Sequence, residues 1–155
     1  MKFSSKEDIE APIEAVFAAL SEFESFERSA IRRGIEVQRV NENAGIGAGM
    51  AWKAAFDLRG KRRNLDLKLV EYTPPTGMRL ESESFGLTGD FQIELVALSP
   101  KRTRMAITLT LSPKNLSARL FLQSLKLAKA NLTKRFKLKA AEFAKSLEDR
   151  KTRMA

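Results

Sequence analysis

The sequence predicts an α+β protein in which about seven antiparallel strands precede one long C-terminal helix, with two short helices after strand 1. Three observations predict it. Apolar residues recur at spacings of three and four over residues 13–23 and again beyond residue 116. Between those stretches they alternate with polar residues, in runs separated by short turns rich in Gly and Pro. Consecutive strands joined by short connections pair with their neighbours, so the sheet is expected to be an antiparallel meander.

The chain opens on an extended segment with Phe3, Ser5, Glu7 and Ile9 on one side. Pro12 suits the first turn of a helix, where its missing N–H costs nothing. Ile13, Val16, Phe17, Leu20 and Phe23 then fall at helical spacing, and a second helix, "FESFERSAIRRG", ends at Gly34 as a C-cap. Strands follow over 35–40, 49–58, 63–72, 78–84, 89–98 and 103–112, with turns at Gly60, at "PPTG" (74–77) and at "SPKR" (99–102). Residues 116–150 contain neither Gly nor Pro and predict a single helix. Its buried stripe is expected to hold Phe121, Leu125, Ala128, Leu132, Phe136, Phe143 and Leu147. Residues 1–150 read as one domain and 151–155 as a frayed tail.

Composition narrows the chemistry. With 43 % apolar and 30 % charged residues, the 155-residue chain has the make-up of an ordinary globular protein. No apolar run reaches the length of a membrane-spanning helix, the start lacks a signal-peptide core, and the cytoplasm is the expected location. There is no cysteine and no histidine, which removes thiolate nucleophiles, the commonest general base and the commonest transition-metal ligand. No metal and no cofactor are expected. Acid–base work would fall to Asp, Glu, Lys or the single tyrosine, Tyr72.

Gly45, Gly47 and Gly49 superficially suggest a phosphate-binding loop. A dinucleotide fingerprint needs strand, G-x-G-x-x-G, then a helix; here the third glycine comes one residue early and a strand follows. The segment is expected to be a hairpin connection.

The order strand, two short helices, six strands and a long helix, with "DIEAPIEAVFAALSEFESF" at the front and "GIGAGMAW" leading into the third strand, resembles the START-like (SRPBCC) superfamily, which includes polyketide cyclase/dehydrase-like proteins. The resemblance covers essentially the whole chain. It implies a helix-grip fold, a curved sheet wrapped around the C-terminal helix with a cavity for an apolar ligand between them. The superfamily has no universal catalytic triad, so no catalytic residue is transferred.

The candidate lining is accordingly Trp52, Ala54, Phe56, Leu67, Leu69, Leu80, Ser82, Phe91, Ile93, Met105 and Ile107 from the sheet, with Leu125 and Leu132 from the helix. Ser82 and Ser84 are the small polar groups sharing that face. Glu81 and Glu83, two residues apart, alternate with them and are expected in solvent. The basic hairpin tip "RGKRRN" (59–64) lacks an interleaved aromatic platform and is expected to be a solvated turn. Lys126, Lys134, Lys137 and Lys145 form the polar face of the long helix. Leu120, Leu127 and Leu138 align with one another away from the buried stripe; they are expected to contact the sheet's edge strands, the alternative being a partner subunit.

The expected function is binding or carriage of a small hydrophobic or amphipathic molecule by a monomer or homodimer, without specific nucleic-acid binding and without a transmembrane segment. Two alternatives stay open: a cyclase/dehydratase-like enzyme moving protons with Tyr72, Ser82 or a carboxylate, and an interaction module using the net charge of +9.

Overall fold

The computed structural model describes residues 1–40 and 45–154, with side chains described through Arg150. Among these residues there are seven strands: β1 (Lys2–Ile9), β2 (Glu36–Val40), β3 (Ala51–Leu58), β4 (Lys61–Thr73), β5 (Gly77–Ser84), β6 (Leu87–Ser99) and β7 (Arg102–Pro113). They form one antiparallel sheet in the order β1-β7-β6-β5-β4-β3-β2. Helices α1 (Ile13–Leu20) and α2 (Phe23–Arg32) connect β1 to β2, the two edge strands. The curved sheet closing on the C-terminal helices is the helix-grip arrangement that the resemblance implied.

Local chemistry accounts for the turns. Gly34 takes φ +87° and its N–H bonds back to Ile31 O, closing α2 as expected. The β3–β4 and β5–β6 hairpins each have a two-residue tip with both residues at positive φ, Arg59-Gly60 (+52°, +78°) and Phe85-Gly86 (+42°, +82°). Such turns match the twist of the flanking strands. A side chain at the first position costs on the order of 1 kcal/mol in backbone strain. Arg59 and Phe85 recover that cost through contacts with the helix that follows β7. Residues 41–44, at the start of the glycine-containing connection, lie outside the described residues. From Gly45 onward the segment leads into β3, and Gly49 N–H already bonds Leu69 O on β4 at 2.8 Å.

The C-terminal segment departs from expectation. It is two helices, α3 (Leu116–Lys126) and α4 (Lys129–Met154). Ala128 N–H bonds Leu125 O, a step of three residues, before the ladder resumes with Leu132 N–H on Ala128 O. Nothing local in "SLKLAKA" breaks a helix; tertiary contacts do. Residues 116–150 as one helix would extend about 50 Å, longer than the ~45 Å of the longest strand beneath it. Instead α3 turns onto the hairpin tips. Asn115 caps it, accepting from Ala118 N–H at 2.8 Å, and Phe121 meets Phe85 edge-on at 5.1 Å.

The buried stripe is corrected at the same place. Ala128 is exposed at the junction, while the small residues Ala118, Ala140 and Ala144 are buried and let the helices approach the sheet closely. Leu120, Leu127 and Leu138 do not touch edge strands in the expected way; all three are solvent-exposed.

Candidate functional site

The pleat assigns the inner face. Residues paired across the sheet form rows, and burial changes from row to row. The row Ser5, Ile107, Ile93, Met78, Tyr72 is almost entirely dry. In the next, Phe3 and Leu69 are buried at its two ends, while Leu109, Phe91 and Leu80 between them remain half-exposed. The third row runs Arg39, Trp52, Leu67, Ser82, Gly89, Leu111, and here Leu67, Ser82 and Leu111 are half-exposed. Ala54, Leu65 and Phe56, further along the same face, are half-exposed too. Water therefore reaches apolar side chains on the concave face, on the side roofed by α3 and the start of α4.

The sequence-derived lining residues divide along this line. Trp52, Leu69, Ile93, Met105 and Ile107 are buried, Leu69 and Met105 completely. Ala54, Phe56, Leu67, Leu80, Ser82, Phe91, Leu125 and Leu132 are half-exposed. Leu65, Leu109 and Leu111 share the accessible face; strict alternation along β4 and β7 was the available signal for them.

The two serines also separate. Ser84 Oγ donates to Asn64 O at 2.6 Å and is buried. Ser82 makes no side-chain hydrogen bond among the described residues, so its hydroxyl is free on the accessible face. A Cβ at the neighbouring Gly89 would come within 2.5 Å of Ser82 Oγ, so glycine keeps that hydroxyl unobstructed. Tyr72 is committed elsewhere: its OH donates to Ser21 Oγ at 2.8 Å, and Ser21 donates on to Phe17 O at 2.9 Å.

A polar cluster that sequence reading missed closes the packed side. Glu27 on α2 accepts two bonds from Arg39, at 2.9 and 3.0 Å, and one from Trp52 Nε1–H at 2.7 Å. All three are mostly covered, and Phe23 packs against the indole at 5.5 Å. This arrangement fixes α2 to β2 and β3 and satisfies the buried indole N–H. Residues 27, 39 and 52 carry no local motif that would join them.

The hairpin-tip expectation needs correcting in part. Arg62 is exposed and pairs with Glu36 and Asp57. Arg59, however, lies over the Phe121 ring at 5.0 Å and bonds Ser124 Oγ at 3.1 Å, and Arg63 lies over Phe85 at 4.3 Å. Arg59 thus ties α3 to the β3–β4 hairpin, and Arg63 ties that hairpin to Phe85 at the β5–β6 tip, each through an aromatic face. Glu81 and Glu83 are exposed, as expected.

Two recesses stand out among the described residues, and neither of these lies between sheet and helices. One of about 740 Å³ spreads over the outer face of the sheet between Lys53, Asp66, Lys68, Glu81, Glu83, Asp90 and Lys114. Its walls are bridged by Lys114–Glu83 (3.1 Å), which marks it as an open saddle of the twisted sheet rather than an enclosed site. The other, about 280 Å³, lies between Ser21–Ser25, Arg28, Arg39 and Ile46. Among the described residues, no cluster of acidic side chains is arranged to hold a metal, and no helix is long and apolar enough to cross a membrane.

Comparison with known proteins finds the same architecture. No family model matches the chain, and no curated protein matches it by sequence. Solved structures do. The aromatase/cyclase Zhui from Streptomyces sp. R1128 superposes with a TM-score of 0.67 at 13 % identity, over 97 % of this chain and 94 % of that one. The protein TTHA0849 from Thermus thermophilus gives 0.61 at 18 % identity, covering 97 % and 96 % of the two chains. Ara h 8.0201 gives 0.60 at 17 % identity, covering 96 % and 95 %. At such identities the likeness concerns the fold alone, and that fold is the helix grip.

Proposed function

We propose that this helix-grip chain binds and carries a small apolar or amphipathic molecule between the concave face of its sheet and α3–α4. The observation that supports it is the accessibility of Phe56, Leu65, Leu67, Leu80, Phe91, Leu109 and Leu111, which point inward yet stay wet, while Leu69 and Met105 on the same face are dry. Apolar surface left wet inside a fold is stabilised by an apolar occupant at about 25 cal/mol per Å² covered. Ser82 supplies a hydroxyl for one polar group of the ligand. That one neighbour is an aromatase/cyclase brings no catalytic group to this chain. Tyr72 being bonded to Ser21 weighs against proton transfer through it.

The test is titration with N-phenyl-1-naphthylamine, read by probe emission and by energy transfer from Trp52, the single tryptophan. Ala54→Phe, placed among the half-exposed residues, is expected to weaken probe binding by about tenfold, roughly 1.4 kcal/mol, without lowering the urea midpoint. A parent chain that takes up no probe, together with a loss of about 1–3 kcal/mol of stability in Ala54→Phe, would show a filled interior and end the carrier reading.

A further inference from the structure

We propose that α3 and the first turns of α4 are a docking surface for an anionic lipid bilayer. The starting observation is a row of leucines, on one helix face, that are left largely in solvent. Leu116, Leu120 and Leu127 are 69 %, 57 % and 92 % exposed, and Leu138 on α4 is 56 % exposed. At 100° per residue, positions 116, 120 and 127 fall within about 40° of one another. They stand opposite Ala118 and Leu122, which are buried against the protein. The strip therefore points straight outward, as Leu138 does opposite the buried Ala140 and Ala144.

Along α3 and the first turns of α4 the charge is one-signed as far as Lys139; the first acid, Glu142, comes one turn after Leu138 and pairs with Lys139. Residues 95–141 contain eleven Lys and Arg and no Asp or Glu, which leaves the other seventeen bases and nineteen acids nearly balanced over the rest of the chain. Arg119, Lys126, Lys129, Lys134, Arg135 and Lys137 are all exposed and form no ion pair among the described residues. A helix with leucines on its outward face and unpaired cations beside them has the chemistry of a segment lying in a bilayer interface, its apolar side sunk about 5–10 Å and its cations at the phosphates.

The same features select against other occupants. A nucleic acid would use the cations but has no use for the leucines, and the aromatic rings that could stack bases are turned inward: Phe121 onto Phe85, Phe136 onto Phe3 at 6.0 Å. A second copy of the chain would bring the same unpaired cations against this surface and be repelled. The inference does not depend on the ligand reading, although these helices also roof the accessible half of the interior.

Flotation with vesicles tests it. Binding is expected to phosphatidylcholine vesicles with about 30 % phosphatidylserine, and to weaken about tenfold or more in pure phosphatidylcholine or at roughly 0.5 M salt. Leu120→Ser with Leu127→Ser keeps every charge and is expected to lower partitioning about tenfold. Because the chain has no cysteine, Leu127→Cys accepts a single environment-sensitive label, whose emission should shift to the blue on these vesicles and not on duplex DNA. This readout stands even if the serine pair perturbs α3. Failure to float, or flotation with neither a serine effect nor a label shift, overturns the proposal. Tighter binding to duplex DNA that ignores the serine changes would make the surface a nucleic-acid site instead.

Discussion

The two halves of the interior are built from the same alternating strands and differ in what covers them. Where α1, α2 and the later part of α4 lie on the sheet, Ile9, Val16, Leu69 and Met105 lose all contact with solvent. Where α3 and the α3–α4 junction lie on it, apolar residues of the same kind keep half-exposed surfaces. The sheet does not distinguish the halves. The helices do: the packed half is covered by small and flush-fitting residues such as Ala19, Ala140 and Ala144, whereas α3 is drawn aside to the hairpin tips by Phe121. The difference in accessibility between the halves thus comes from the displaced cover and not from a specialised floor.

The sharpest way to break this comparison is to truncate one residue in each half. Met105→Ala should cost about 2–5 kcal/mol, since a fully buried side chain leaves a cavity, and Leu65→Ala should cost about 1 kcal/mol or less. Urea denaturation reads both; equal losses would mean that the halves are equally packed. Next comes the Glu27 cluster on the packed side. Glu27→Ala removes the two bonds from Arg39 and leaves the buried Trp52 N–H without its acceptor, and a loss of about 2 kcal/mol is expected, with a change in Trp52 emission. If stability is unchanged, the cluster is not what seats α2.

The smallest effect is at the rim. Bonds from Arg150 hold the Glu22 carboxyl below its ordinary value, linking α2 to α4 at 2.9 and 3.0 Å, and bonds from Arg104 do the same for Asp8. A carboxylate whose folded pKa is lowered stabilises the fold above its unfolded pKa. That contribution fades as pH falls through the folded value. The Glu22 side chain is 41 % exposed, so Glu22→Gln should change stability at neutral pH by no more than about 0.5 kcal/mol. It should also slightly flatten the acid limb of a stability–pH curve; a larger loss at neutral pH would show that the pair is less screened than its exposure implies.

Much of this was legible in the sequence because it is written in short-range periodicity. Alternation in "RNLDLKLVEY" and "TRMAITLTLS" assigned strands and faces, and Gly34 marked the end of α2. The same signal puts Ala54, Phe56, Leu67, Leu80, Ser82 and Phe91 on one face; that they line a cavity is what the family resemblance implied. What periodicity cannot give is which inward residue is dry, because that depends on the helix above it. For the same reason the single helix expected over 116–150 became two: the break comes from Phe85, Arg59 and Phe121 meeting in space. The bonding of Glu27 to Arg39 and Trp52 was not legible, because nothing in their spacing relates an acid on a helix to a base and an indole on two strands.

The junction at 127–128 also divides the C-terminal segment into separate cooperative units. An unbroken helix shares one hydrogen-bond ladder, so lifting one end strains the other. Here the ladder is interrupted between Leu125 and Leu132, and α3 has 11 residues, below the roughly 12–15 at which an isolated helix holds together in water. Released from Phe85 and Arg59, α3 would fray to coil while α4 stayed seated on β1, an opening whose free energy lies well below that of global unfolding. On the proposed function, that opening is the route by which a ligand would enter and leave while the packed half stays together.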